Sequence, residues 1–555
     1  MTDHAAYTPA LKKRARHAPL GLSGVVVLVA AICLLPMMAV AIAAFSGGTG
    51  TVSQLLGSVL PRYVGNTALL VLLVSIGTLC LGVGTAWLVT MTRFPGVRLF
   101  EIALVLPLAF PSYVLAYAYT YILDHPGIVQ STLRDVMGWG PRDYWFPEVR
   151  SLGGAAFMLV LVLYPYVYLL ARASFLQQSG TTFLAARALG SSAWSAFFRV
   201  SLPLARPAIA GGVLLAVMET IADFGTVAYF GVQTFATGIY TSWFTLADRG
   251  GAAQLALCLL SFALLLAMLE RIQRGRAKYS DAPRGGQEKT QLQLHGVHAF
   301  AAFALCSIPV LLGCVLPVVV LFNMGLISEQ DLLSSRYLAF IQNSLTLAGI
   351  AAVVTVCAAV SVGFFQRMQP GRFSSTTAYI ARLGYAVPGG VVAVGLLVPF
   401  AAFDNALDAW MRSTFDISTG LLVTGSIWLL IIAYLVRFSA AALGAYEGGQ
   451  ALVHANMDAA SRSLGQTPWG TLRRVHLPIL TPSLLTALLI VFVDVMKELP
   501  ATLIMRPFNY DTLAVQAYRL ASDERLEGAA VPSLVIVAMG LLPVILICRQ
   551  VGRGK

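Results

Sequence analysis

Four carboxylates stand within apolar stretches of the chain. Glu219 and Asp223 lie four residues apart, and Asp494 and Glu498 repeat the pattern 275 residues later. On a continuous helix, residues four apart share a face. Lys497 sits beside the second pair. A charged side chain inside a bilayer is costly, so it faces a cavity or a partner. Four acids set symmetrically about an axis favour a cation, and a hard cation prefers oxygen ligands. A structural reading stands beside this one, with Lys497 pairing with Asp494 or Glu498 and Glu219 capping a neighbouring loop. Other chemistry finds no residues to carry it. There is no Gly-x-x-x-x-Gly-Lys-Ser/Thr phosphate loop, and the only Gly-Lys is Gly554-Lys555. No His-Glu-x-x-His occurs, the seven histidines are scattered, and the seven cysteines form no Cys-x-x-Cys pair. We expect no catalytic residue, no cofactor site and no resident metal site.

The elements that must position these acids are membrane helices. Of the 555 residues, 58% are hydrophobic and 11% charged, against about 25% charged in a soluble domain. Apolar runs of spanning length lie near 20–45, 64–92, 100–123, 152–171, 207–230 and 252–270. A second set lies near 300–325, 343–366, 378–403, 420–436, 480–500 and 530–548. The expected fold is an all-α integral membrane protein with about twelve transmembrane helices in the lipid bilayer. The run from Leu20 to Phe45 is too long for a signal-peptide core, so it reads as an uncleaved first helix.

With the N-terminus inside, the cytoplasmic segments hold 25 Lys and Arg, the outer segments 10, and Arg382 and Lys497 fall within helices. This is the positive-inside pattern, with both termini cytoplasmic. It also accounts for the net charge of +12 without nucleic acid as a partner. Tyr113, Tyr117, Tyr119 and Tyr121 read as an interfacial belt.

Residues 271–299 form a polar, basic cytoplasmic linker between a first repeat, 1–270, and a second, 300–555. Asn66-Thr67 matches Asn343-Ser344, and Arg93-Phe-Pro-Gly-Val-Arg98 matches Arg367-Met-Gln-Pro-Gly-Arg372. Pro111 matches Pro388. From Gly190 to Asp248 the offset reads as a constant 275, placing Thr237 on Thr512 and Asp248 on Asp523. Each repeat has an even number of spans, so the copies run parallel about an axis along the membrane normal.

Within these repeats, segments near 181–207 and 455–482 share a motif. One reads Leu184-Ala-Ala-Arg-Ala-Leu-Gly190, nine residues, then Val200-Ser-Leu-Pro203. The other reads Ala459-Ala-Ser-Arg-Ser-Leu-Gly465, nine residues, then Val475-His-Leu-Pro478. Both resemble the EAA loop of ABC-importer permeases. The resemblance implies a type I permease architecture. It also implies a coupling role for Ala185, Ala186, Arg187, Leu189, Gly190 and Pro203, and for Asp458, Ala460, Arg462, Leu464, Gly465 and Pro478. A glycine at the end of such a short helix suits a positive φ, and Pro203 or Pro478 is expected to start the return to the membrane. The motif's Glu is Leu184 in one copy and Ala459 in the other, with Asp458 one place earlier. Expected partners are two copies of a cytoplasmic ATPase subunit and a periplasmic or extracellular substrate-binding protein.

The stretches Glu219–Tyr240 and Asp494–Val515 are similar to fused permeases of the ferric-iron uptake family. This implies a permease in a bacterial plasma (inner) membrane importing ferric iron, with Glu219, Asp223, Asp494 and Glu498 as candidate pathway residues. Permeases for thiamine or polyamines share the architecture and are the nearest alternative. An ion-coupled secondary transporter with parallel repeats is a further one, but it needs no ATPase dock.

Overall fold

The computed structural model describes residues 20–46, 57–178, 188–190, 192–276, 292–328, 330 and 334–553. Among them, eleven helices are long and apolar enough to cross a membrane, and a pair bent by 92° makes a twelfth span. The first half contributes Gly21–Ser46, Leu60–Met91, the bent pair Val97–Ala109 and Ser112–Met137, Leu152–Leu176, Trp194–Ala222 and Arg249–Leu269. The second contributes Gly296–Ile327, Ser335–Met368, Gly389–Phe415, Ile427–Gln450, Pro468–Met496 and Leu526–Ile545. The described strands are the residue pairs Thr92–Arg93 and Leu292–Gln293, joined in parallel.

Two breaks in each half shape the centre. The third span breaks at Pro111, and its counterpart breaks at Pro388. Phe110 and Val387, just before the prolines, have ψ of 132° and 114°. Proline excludes its predecessor from helical backbone and clashes with the preceding turn, so the helix stops and restarts at the proline. The fifth spans end early. The helices stop at Ala222 and Met496, short of the continuous runs expected to 230 and 500. Short helices Gly225–Tyr229 and Pro500–Met505 follow.

The fifth spans also begin before Pro203 and Pro478, which were expected to open them. A π-type turn precedes each proline, at Phe197–Ser201 and Leu472–His476. Its wider hydrogen-bond spacing, from Leu202 N–H to Phe197 O and from Leu477 N–H to Leu472 O, lets the helix run on into a residue that has no N–H to give.

The halves repeat the same contacts, with one change of register. Asn66 and Asn343 donate to the carbonyls of Gln233 and Asp511, at 2.8 and 3.1 Å. Thr67 and Ser344 accept from the N–H of Phe235 and Leu513, at 3.4 and 2.8 Å. Thr234 and Thr512 are therefore the equivalent helix caps. Thr237 is not the partner of Thr512, because the second half carries three extra residues in this loop. Asp248 and Asp523 separate too: Asp248 accepts from Gly251 N–H at the start of the sixth span, whereas Asp523 ends the helix Leu513–Ser522.

The first span of each half lies against the other half. Gly395 packs directly on the Pro36 backbone, and Cys33 Sγ lies 4.0 Å from Ser439 Oγ. In return, Tyr119 donates to the Leu312 carbonyl at 2.8 Å. The exchange ties the repeats into one body around the central breaks.

Candidate functional site

Three of the four breaks, at Pro111, after Ala222 and after Met496, meet at a cavity of about 90 Å³ between the halves, and the fourth, at Pro388-Gly389, packs against its Arg437 and Glu498. Its lining includes Ser112, Tyr113, Tyr166, Glu219, Asp223, Arg437, Asp494, Lys497 and Glu498. All four acids expected from the sequence are present. They are not two pairs on two helix faces, because Asp223 and Glu498 lie beyond the helix ends, on extended or irregular backbone.

Position gives the acids two kinds of work. Asp223 accepts from the N–H groups of Thr226 and Val227, each at 3.2 Å, and from Ser112 Oγ at 2.6 Å. Glu498 accepts from the N–H groups of Ala501 and Thr502, at 2.9 and 3.0 Å, and from Arg437 at 2.7 Å. Each carboxylate thus serves backbone donors that would otherwise be orphaned at the start of the following short helix. Glu219 and Asp494 remain on their helices, one turn back. Tyr385 donates to Glu219 at 3.2 Å, and Lys497 pairs with Asp494 at 2.9 Å. Tyr166 and Tyr385 lie beside both of these acids. The cavity holds four carboxylates against the two cations Arg437 and Lys497. Among the described residues, no three His, Cys, Asp or Glu side chains converge to hold a metal ion.

Two tyrosine and arginine assignments change. Tyr113, Tyr117 and Tyr119 are buried in protein rather than set at a lipid interface, and Tyr113 lines the cavity. Hydropathy alone does not separate a lipid-facing tyrosine from one facing a neighbouring helix. The apolar run 420–436 stops one residue before Arg437, which places it among the cytoplasmic charges. The helix instead continues to Gln450 and places Arg437 at the cavity. Its sequence signal is the repeat register: 275 residues earlier stands Val162, in the middle of a span.

The second coupling segment forms the helix Ala455–Ser463, ended by Leu464 and by Gly465 at φ +78°. Leu464 is 79% exposed. In the first copy, Leu189 is 87% exposed and Gly190 has φ +87°. Ala185, Ala186 and Arg187 lie outside the described residues. Arg462 turns back to donate to the Asp458 carbonyl at 3.0 Å, and the Ala460 carbonyl receives Leu464 N–H at 3.1 Å. Asp458 does not point outward with Leu464. It accepts from Arg367 and lies 2.6 Å from His476.

Comparison with known proteins agrees with this arrangement. The model of the binding-protein-dependent transport system inner membrane component matches residues 78–279 and again residues 355–552. The Fe(3+)-transport system permease protein FbpB 2 of Haemophilus influenzae is 27% identical, over 96% of this chain and 98% of its own length. The ferric transport system permease protein of Actinobacillus pleuropneumoniae is 24% identical, over 86% of this chain and 69% of its own. The molybdenum transport system permease protein of Escherichia coli is 31% identical, over 35% of this chain and 87% of its own. The chain therefore belongs to the binding-protein-dependent transport system inner membrane component family: it is a multi-pass inner-membrane permease of an ABC importer, not itself an enzyme, working with a separate ATPase subunit and a substrate-binding protein.

Proposed function

We propose that this permease carries ferric iron, and that the cavity between its halves is a station on the path. The observation that carries the substrate reading is the end-to-end match to a relative named for Fe(3+) transport, where the molybdenum relative matches over about a third of the chain. The cavity chemistry agrees. Carboxylates outnumber cationic side chains there by two, and the phenol oxygen of Tyr166 adds a hard donor. The iron is cargo rather than a resident group, so a dispersed set of oxygens suits release better than a closed cage.

In this reading residues 1–270 and 300–555 are the two permease repeats and 271–299 the cytoplasmic linker between them. The loops near Gly190 and Gly465 each receive one ATPase subunit, two in all. Both termini lie in the cytoplasm in this reading, which the basic excess supports. An ATPase step displaces the two coupling loops, and the fifth spans carry that displacement to the acids. Glu219 and Asp494 lower the barrier for the cation, while Asp223 and Glu498 hold the broken helices around it.

The test is reconstitution with the ATPase and binding protein. ATP-driven uptake of labelled ferric iron, unaffected by excess thiamine, putrescine or molybdate, is expected. Uptake of one of those competitors, with none of iron, would overturn the substrate reading while leaving the permease in place.

A further inference from the structure

We propose that Asp458 is a positioning residue that clasps the second coupling helix to the membrane spans behind it. The helix Ala455–Ser463 has two faces. Leu464 and Met457 are exposed on one side. On the other, Asp458 Oδ2 receives Arg367 Nε at 2.8 Å, and Oδ1 lies 2.6 Å from His476 Nε2. Arg367 belongs to the last turn of Ser335–Met368, and it also donates to the Val453 carbonyl at 2.8 Å. His476 closes the π-type turn within the fifth span, is 1% exposed and packs edge-on to Phe364. A hydroxyl bond of 2.8 Å between Ser461 and Thr471 runs beside the clasp.

The clasp joins three elements through one carboxylate. Burial pushes the Asp458 pKa up, but the bonds from His476 and Arg367 outweigh it and hold the carboxyl below its ordinary value. The charge is therefore in place at neutral pH. Displacement of the coupling helix must then drag the ends of the second and fifth spans, and the fifth leads directly to Asp494. In the first repeat, the residues in register with Asp458 and His476 are Phe183 and Ser201. Neither can form the charged pair.

The inference rests on the Gly465 loop being the ATPase contact. That reading fails separately if Leu464→Asp leaves uptake intact. For the clasp itself, the measurement is ions imported per ATP hydrolysed by the reconstituted complex of permease, ATPase and binding protein. Asp458→Ala should keep the ATPase bound and basal hydrolysis running, while uptake per ATP falls about tenfold, within the usual range of coupling between sites. The swap Asp458→His with His476→Asp should recover much of the loss, because the pair is restored in reverse. Unchanged uptake per ATP in Asp458→Ala overturns the proposal. So does loss of the ATPase subunit from the complex, which would place Asp458 on the contact face. Should Asp458→Ala fail to insert, the swap decides alone: recovered insertion and coupling support the pairing, and failure of both overturns it.

Discussion

Arg437 Nη1 lies 2.7 Å from Glu498 Oε1, in an ion pair whose side chains are 13% and 1% exposed. Arg437 comes from the middle of the fourth span of the second half, and Glu498 from the break after the fifth. Gly389 makes room for them. A Cβ at that position would meet Arg437 Nη1 at 2.6 Å and Glu498 Oε1 at 2.9 Å. The first half meets the same need with smaller parts. Ser112 hydrogen-bonds Asp223 directly, and Val162 stands where the arginine would be.

Removing one member of this pair should cost more than removing both. Arg437→Met leaves Glu498 buried without its cation, at about 3–5 kcal/mol. The double variant Arg437→Met with Glu498→Gln removes both charges; the amide oxygen still accepts one backbone N–H, and the NH2 facing the other donors costs about 1–3 kcal/mol, less than the unpaired charge. We expect the single variant to melt well below the double in thermal denaturation of the purified complex. Equal melting would show that the pair is not the element holding the break.

The exposed leucines of the coupling loops give a second prediction. Leu464→Asp puts a charge on the apolar contact face, and Gly465→Pro cannot adopt the φ of +78° seen there. Both should insert and fold in the membrane, yet abolish ATP-driven uptake. The check is uptake together with ATPase co-purification. Full uptake in either variant, with the ATPase bound as usual, would remove the coupling assignment.

Sidedness is tested by labelling single cysteines in a background without the seven native ones. A cysteine at Gly286 in the linker should react only from the cytoplasm. One at Ser413, exposed at the end of Gly389–Phe415, should react only from outside. The reverse pattern would overturn the charge-based orientation.

What the sequence made legible follows from which signals are local. Spans were legible because bilayer thickness imposes their length, and the coupling loops because a fixed spacing repeats. Pro111 and Pro388 matched in sequence and break the same helix in both halves. The acids were found, but a four-residue spacing implies a shared face only on an unbroken helix. Apolar composition runs straight through Asp223 and Glu498, so the helix ends there were invisible. Arg437 was lost to a run that stopped one residue short of it. The partners of Asp458, Arg367 and His476, lie 91 and 18 residues away, and no periodicity connects them. The loop register between Gln233 and Asp511 needed Asn66 and Asn343 in three dimensions, because letter matches at a fixed offset conceal a three-residue insertion.

The four central acids should separate by experiment into two classes. Asp223 and Glu498 are committed to backbone N–H groups and to Ser112 or Arg437. Asp223→Asn replaces one acceptor oxygen by a donor group facing other donors. An unsatisfied buried group costs about 1–3 kcal/mol, so this variant should assemble poorly or melt early. Among the described residues, Glu219 and Asp494 have Tyr385 and Lys497 as their side-chain partners, and both acids face the cavity. Glu219→Gln with Asp494→Asn keeps their shape and removes their charge. If these two acids guide a cation, iron uptake should fall while assembly and basal ATP hydrolysis persist. Lys497 would then face the cavity without its counter-ion, and Lys497→Met added to the pair should restore any lost stability but not uptake. Restoration of uptake by Lys497→Met would assign the acids to neutralising the lysine, not to the cargo. Normal uptake in the double variant Glu219→Gln with Asp494→Asn would remove the pathway role altogether.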